Sequence, residues 1–338
     1  SHRFAIIGCG GWGTALAMLL DAIEHRVTIW GVDPDYMDEM RETRRNPRYL
    51  PELDIAESIG LTADMEECVP SAEVVVMATP TIYLREVCRR MEPHLDHETL
   101  VVNVAKGIEE ETLMVGTDVI VDVCGKDLRI GGVFGPSHAE EVARGCPTTV
   151  VAASRSPAIA RRIQRLFMCP TFRVYTNRDL VGVELGAALK NIIAIAAGMC
   201  DGLDYGDNAK SALLTRGLAE ISRLGVAMGA EMRTFSGLTG LGDLITTCIS
   251  PYGRNRSVGV RIAKGESLED IVAEMDMVAE GVRTTRSACA LASQYGVDMP
   301  ITREVYAVLF GDKDPREAGR ELMQRAPRPE HDRAMTKD

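Results

Sequence analysis

The stretch FAIIGCGGWGTALAMLL, Phe4 to Leu20, decides the fold. A short apolar run meets Gly8, Gly10 and Gly13 in the order G-x-G-x-x-G, with Gly11 between them, and passes into a helix-forming TALAMLL. The glycine pattern alone is weak, because glycine-rich turns also serve simply to redirect a chain. In a βαβ unit, however, the first glycine permits a tight turn, the second admits a pyrophosphate against the backbone, and the third lets helix pack closely on strand. A helix beginning near Gly11 would aim free N–H groups, carrying about half a unit of positive charge, at that pyrophosphate. A second strand pattern ending in TIWGVD follows, and Asp33 lies twenty residues beyond Gly13, where an acidic side chain takes the adenosine ribose hydroxyls. The competing reading is a structural turn and a strand-end Asp. With all four parts in register, dinucleotide binding is the expectation.

Working outward, the runs RVTIWG, EVVVMATP, LVVNVAKG, IGGVFGP, TTVVAAS and FRVYTN alternate with helical stretches across the first half. Most are apolar on consecutive residues, the mark of strands covered on both faces in a parallel sheet. From Arg178 onward helix follows helix, with glycine-rich breaks at 236–242 and 251–253. The expected fold class is α/β: an N-terminal Rossmann-type doubly wound sheet over residues 3–177, then an all-α domain over 178–326. A charged tail, 327–338, is expected to be disordered.

Composition excludes several partners. A formal charge of −11 argues against nucleic acid and against anionic membrane surfaces, so a phosphate-bearing ligand needs a local cationic pocket. Nine cysteines scattered singly, without a C-x-x-C pair, fit reduced thiols filling the core of a cytoplasmic protein better than a disulfide or zinc framework, and no metal is expected. No run approaches the roughly 18 uninterrupted apolar residues of a membrane span, and with Arg3 opening the first strand no secretory leader is expected. A 2′-phosphate would need a cation after the second strand, where Gly31, Val32 and Asp33 stand; this favours NAD over NADP unless Arg41, Arg44 or Arg45 folds back.

Chemistry needs more than a dinucleotide. Lys106 follows the strand VVNVA, beside the crevice where such sheets bind ligands, although a surface lysine ending a strand looks the same. In LGAALKNIIAIAAGM, Leu185 to Met199, only Lys190 and Asn191 are polar, and Gly186, Ala187 and Ala194 give the lysine a smooth helical face. A buried ammonium must find an anion or lose its proton. Asp243, in TFSGLTGLGDLITTC, reads equally as an N-cap or as that counter-ion. In SPYGRNRSVG, Arg254 and Arg256 flank Asn255; the Arg fork suits phosphate, and a solvated loop would look similar. His138 has no carboxylate placed to orient it and reads as structural.

The segments IIGCGGWGTALA, NVAKGIE, GPSHAEEVARG, FRVYTN, GVELGAALKNIIAIAAGMCDGL, NAKSALLTRGLAEISRLG, GLTGLGDLITTC, RNRSVG, VAEG and GVDMPIT together resemble the bacterial NAD(P)-dependent glycerol-3-phosphate dehydrogenases over almost the whole chain. The resemblance implies reversible reduction of dihydroxyacetone phosphate to sn-glycerol 3-phosphate for phospholipid synthesis. It implies Lys190 as the acid/base, substrate contacts from Lys106, Gly135, Ser137, Asp243, Gly253, Arg254 and Asn255, and cofactor contacts from Gly11, Trp12, Val32, Lys106, Ala139, Arg254, Val278 and Glu280. Three positions depart from the pattern: Gly253 and Phe134 stand where Ser is frequent, and Val32 where Arg or His is often found. Backbone N–H groups must then replace a hydroxyl at 253, and packing must change at 134.

Negative charge growing on a carbonyl that receives hydride needs a proton donor, and a lysine of ordinary pKa, about 10.4, is protonated at neutral pH. Oxidation requires that value lowered, which Lys106 would favour and Asp243 oppose. Two rivals remain open at this point: a β-hydroxyacid dehydrogenase taking a carboxylate substrate, and a non-catalytic dinucleotide-sensing dimer in which Lys190, Lys106 and Asp243 need not converge. Small-residue helix faces also make a homodimer plausible.

Overall fold

The computed structural model describes residues 1–275 and 279–330. Among the described residues ten strands form, β1 (Arg3–Ile7), β2 (Arg26–Trp30), β3 (Arg45–Asn46), β4 (Leu50–Asp54), β5 (Gly60–Thr62), β6 (Val74–Met77), β7 (Leu100–Asn103), β8 (Arg129–Phe134), β9 (Thr148–Ala153) and β10 (Phe172–Asn177). Eight of them make one sheet in the order β10-β9-β8-β7-β6-β1-β2-β5, and β3 and β4 pair as a small separate hairpin. Along β1 the side chains alternate between two cores. Phe4 and Ile6 pack with Ile29, Val76 and Val102 on one face, while Ala5 and Ile7 pack with Trp30, Val75 and Val101 on the other. Both faces are apolar, which is why the strand reads as a continuous hydrophobic run.

The sheet departs from a wholly parallel one. β8 and β9 pair antiparallel, with Gly132 opposite Ala153, and β10 follows β9 in parallel. Consecutive-residue apolarity reports burial on both faces and carries no information on strand direction, so this reversal was not legible. The three-residue β5 and the β3–β4 hairpin, made largely of polar residues, also escaped the reading.

Five helices matter to the site: α1 (Gly11–Ala22), α2 (Leu180–Gly202), α3 (Asp243–Ile249), α4 (Arg254–Ala263) and α5 (Glu280–Tyr295). α2 is apolar on all sides because it is the axis of the helical region, with the other helices wrapped around it. By length and hydropathy it could cross a membrane, yet 94% of its most apolar window is buried inside the protein. Small residues let helices touch it: a Cβ on Gly198 would collide with the Arg256 carbonyl, and one on Gly259 with the Ile195 carbonyl. The two halves share buried surface, since Ile108 and Val115 from the sheet half join the α2 core and Phe134 packs on Leu180, Val183 and Ala187. All nine cysteines are free; three are buried and six half-buried. Of the expected tail, residues 331–338 lie outside the described residues.

Candidate active site

A cleft of about 720 Å³ opens between the halves, outside the carboxyl ends of β1, β6 and β7, where the strand order reverses. A second groove, of about 810 Å³ and bordered by Arg161, Arg178 and Arg233, lies across the edge strand β10, away from the convergent groups.

The dinucleotide end is built by the opening motif. Gly8 has φ of +127°, and a Cβ there would come within 2.7 Å of the Ala78 carbonyl oxygen, while a Cβ on Gly13 would collide with the carbonyl of Gly8. Nothing lies within 4 Å of the Cβ position of Gly10, so the second glycine leaves open space at the start of α1. α1 has no side-chain cap, and its first N–H groups face the cleft that Gly10, Gly11 and Trp12 line. The buried indole Nε1 of Trp12 has no hydrogen-bond partner. These features fit a bound dinucleotide.

Other cofactor expectations divide. Val32, Lys106, Ala139, Arg254 and Glu280 line the cleft; Val278 lies outside the described residues. Asp33, next to the cleft-lining Val32, caps the helix Pro34–Thr43, its Oδ1 accepting from Tyr36 N at 3.3 Å. Arg41 donates to the Leu61 carbonyl at 3.0 Å, Arg44 to the Ile59 carbonyl at 2.9 Å, and Arg45 to Asp54 at 2.8 Å. Arg90 was missed: its guanidinium stacks 5.0 Å from the Trp30 ring and borders the cleft beside Val32.

At the other end Asp243 stands between two ammonium groups. Lys190 Nζ donates to Oδ1 at 2.7 Å and Lys106 Nζ to Oδ2 at 3.1 Å. Lys190 also donates to the Thr247 hydroxyl, which in turn donates to the Asp243 carbonyl at 2.7 Å. Asp243 is therefore a counter-ion and no N-cap; its helix follows a π-helical turn, Leu238–Gly242, with no capping side chain. Thr247 was missed, although its place four residues after Asp243 puts both on one face of α3. The smooth face around Lys190 is filled by protein, since a Cβ on Gly186 would come within 2.8 Å of the Thr239 carbonyl oxygen.

Burial pulls the Lys190 ammonium down to about 8, with Lys106 assisting and Asp243 opposing. Gly135, at φ +146°, presents its carbonyl to Lys106 Nζ at 3.0 Å and to the Ser137 hydroxyl at 3.0 Å, so it steers those two side chains. Asn191 Nδ2 reaches the Lys106 carbonyl at 3.4 Å. Gly253 precedes α4, which has no side-chain cap, and a Cβ at Gly253 would crowd the Thr247 carbonyl oxygen at 2.9 Å. Burial holds Arg254 below the ordinary guanidinium value, opposed by Glu280 and Glu140. Asn255 Oδ1 accepts from Gly281 N at 2.9 Å, joining α4 to α5, and Arg256 turns away to Asp201 at 2.6 Å. Glu280 Oε1 accepts from Thr81 N at 2.8 Å, tying the halves together. His138 lies in the cleft with Nε2 buried and unpartnered; burial lowers its pKa first, with Lys106 and Lys190 adding to the effect.

A Rossmann-type sheet, an uncapped helix at a glycine turn and a lysine–carboxylate–lysine cluster across one cleft define a dinucleotide-dependent oxidoreductase. A non-catalytic sensor would not need those three groups gathered. Residues 3–160 match the N-terminal family of NAD-dependent glycerol-3-phosphate dehydrogenases, and residues 179–320 the C-terminal family. The chain is 50% identical over 324 residues to glycerol-3-phosphate dehydrogenase [NAD(P)+] of Moorella thermoacetica, covering 96% of each chain. It is 48% identical over 328 residues to glycerol-3-phosphate dehydrogenase [NAD(P)+] 1 of Salinibacter ruber, again over 96% of each. The crystal structure of glycerol-3-phosphate dehydrogenase from Coxiella burnetii superposes with a TM-score of 0.92 at 35% identity, over 96% of this chain and 99% of that one. The chain belongs to the NAD-dependent glycerol-3-phosphate dehydrogenase family, and is a dehydrogenase of CH–OH groups using NAD or NADP.

Proposed function

We propose that this protein reduces dihydroxyacetone phosphate to sn-glycerol 3-phosphate, reversibly, with Lys190 as the proton donor. The observation that carries the reading is Asp243 held between Lys190 and Lys106 at the cleft, a cluster with one net positive charge. Gly10, Gly11 and Trp12 would hold the dinucleotide, whose reduced nicotinamide would supply the hydride. Lys190, with a pKa near 8, keeps its proton at neutral pH and gives it from Nζ to the oxygen on which charge develops. Lys106 polarises the same oxygen, and Asp243 with Thr247 fixes the direction of the Lys190 Nζ. Arg254 and the uncapped first turn of α4 hold the phosphate, the backbone N–H groups standing in for the hydroxyl that Gly253 lacks.

The cytoplasm, supply of a phospholipid precursor and a preference for NAD are parts of the same proposal. The small-residue faces that suggested a homodimer are filled from within the chain, at Gly186, Gly198 and Gly259, so sedimentation must decide that point on its own. The function is tested by following NADH absorbance with dihydroxyacetone phosphate and with short-chain 3-keto acids. Turnover of the phosphate ester alone is expected. Turnover of the keto acids alone would replace the reading with a β-hydroxyacid dehydrogenase.

A further inference from the structure

Lys106 stands on a short turn after β7, and the shape of that turn is governed from the opposite half of the molecule. Asn103, the last residue of β7, folds its side chain over the turn: Oδ1 accepts from Ala105 N at 3.0 Å, and Nδ2 donates to Glu184 Oε1 at 2.8 Å. Glu184 lies on α2, six residues before Lys190. Its carboxylate also accepts from Thr117 N at 2.9 Å and from the Thr117 hydroxyl. Asn103, Glu184 and Thr117 are all buried. From the far side Asn191, again on α2, reaches the Lys106 carbonyl.

A carboxylate buried this deeply is costly, and burial pushes Glu184 up to about 7, against the bonds from Thr117 and Asn103. An apolar residue would serve α2 packing better. What the carboxylate accomplishes is to fix Asn103, and through Asn103 the turn that delivers Lys106. We propose that Glu184 and Asn103 are a positioning pair holding Lys106 against Asp243, so that α2 sets both ammonium groups of the site. Neither residue touches the space where substrate binds; they act through Lys106, and the inference rests on the proposed role of Lys106.

A second consequence follows from charge. The groups facing Lys190 are Asp243, Thr247 and Cys248 from α3, Lys106 from the β7 turn, and His138 from the loop after β8. Lys106 lowers the Lys190 pKa, so a displaced Lys106 lets it rise.

The test is a double-mutant cycle on the full-length enzyme, with kcat and KM for dihydroxyacetone phosphate and NADH affinity by fluorescence. Glu184→Ala should lower kcat by roughly tenfold to a hundredfold, the scale of a misplaced polarising group, with NADH affinity unchanged. In a Lys106→Ala background the same substitution should cost less than about twofold, because the residue it acts through is gone. Glu184→Gln keeps a carbonyl acceptor for Asn103 and should restore most of kcat. The alkaline limb of the reductive pH profile should move upward in Glu184→Ala and stay in place in Glu184→Gln. If Glu184→Ala does not fold, Asn103→Ala carries the same cycle with the helix untouched. An equal loss in both backgrounds, with an unmoved pH profile, would make the pair merely structural and overturn the proposal. Full activity of Lys106→Ala alone would instead remove the role of Lys106, a separate failure visible in the single variant.

Discussion

Lys190 is chemically useful because two opposed demands meet on its nitrogen. Burial disfavours the ammonium, Asp243 favours it, and the balance near 8 lets one side chain serve both directions. Reduction needs the protonated form, so its rate should fall as pH rises through about 8, while oxidation of sn-glycerol 3-phosphate should rise over the same interval. Asp243→Asn removes the group that raises this pKa. The alkaline limb of reduction should therefore move to lower pH, opposite to the shift expected when Lys106 is displaced; initial rates from pH 6 to 10, on the order of two units either side of the midpoint, check the sign. Arg254→Ala should act differently, raising KM for dihydroxyacetone phosphate by roughly tenfold or more with a smaller change in kcat, as loss of a charge-assisted phosphate contact does. An unchanged KM would contradict the phosphate role.

Among the elements, α2 carries the site, and its legibility was uneven. Its two polar residues in an apolar run announced Lys190 and Asn191, because an ammonium inside such a helix demands a partner. Glu184, a residue earlier than that run, gave no comparable signal: only the fold brings it to Asn103, eighty-one positions away in sequence. Asp243 read as cap or counter-ion in equal measure, and the π-helical turn before it, which places its carboxylate between two lysines, has no simple sequence signature. The glycine turn was legible because Gly8 and Gly13 answer local steric needs, while Gly10 leaves the open space that the motif reserves for a ligand. Strand direction after β8 was not, since it depends on where the chain crosses. The contact of α2 with α4 also predicts a mutational effect. Gly259→Ala puts a methyl into the Ile195 carbonyl and should lower stability by about 1–3 kcal/mol, read as a drop in Tm with the far-ultraviolet spectrum retained.

At the scale of the whole molecule, buried carboxyl groups that tie helix to helix link stability to pH. Glu220, buried on the helix Gly206–Ala227, accepts from Ile301 N at 2.7 Å and Thr302 N at 3.2 Å. Burial raises its pKa from 4.5 to about 7. A carboxyl whose pKa is higher folded than unfolded binds more protons in the folded state between those values, so its contribution is present below 4.5 and lost as pH rises through about 7. Glu220→Gln should flatten the decline of Tm across this window, while an unchanged slope would show the decline to arise elsewhere. The same scale governs dinucleotide choice. With Arg41, Arg44 and Arg45 bonded to backbone or to Asp54 and Arg90 engaged on the Trp30 ring, NADH should give the higher kcat/KM; a higher kcat/KM with NADPH would assign Arg90 to the 2′-phosphate.

Lys190→Ala is the decisive variant, measured as kcat for dihydroxyacetone phosphate reduction at pH 7 alongside NADH affinity by fluorescence quenching. A loss of roughly a hundredfold or more in kcat with dinucleotide affinity held within about twofold is expected, the scale on which positioned proton donors act. Near-normal turnover in that variant would contradict the proton-donor role of Lys190.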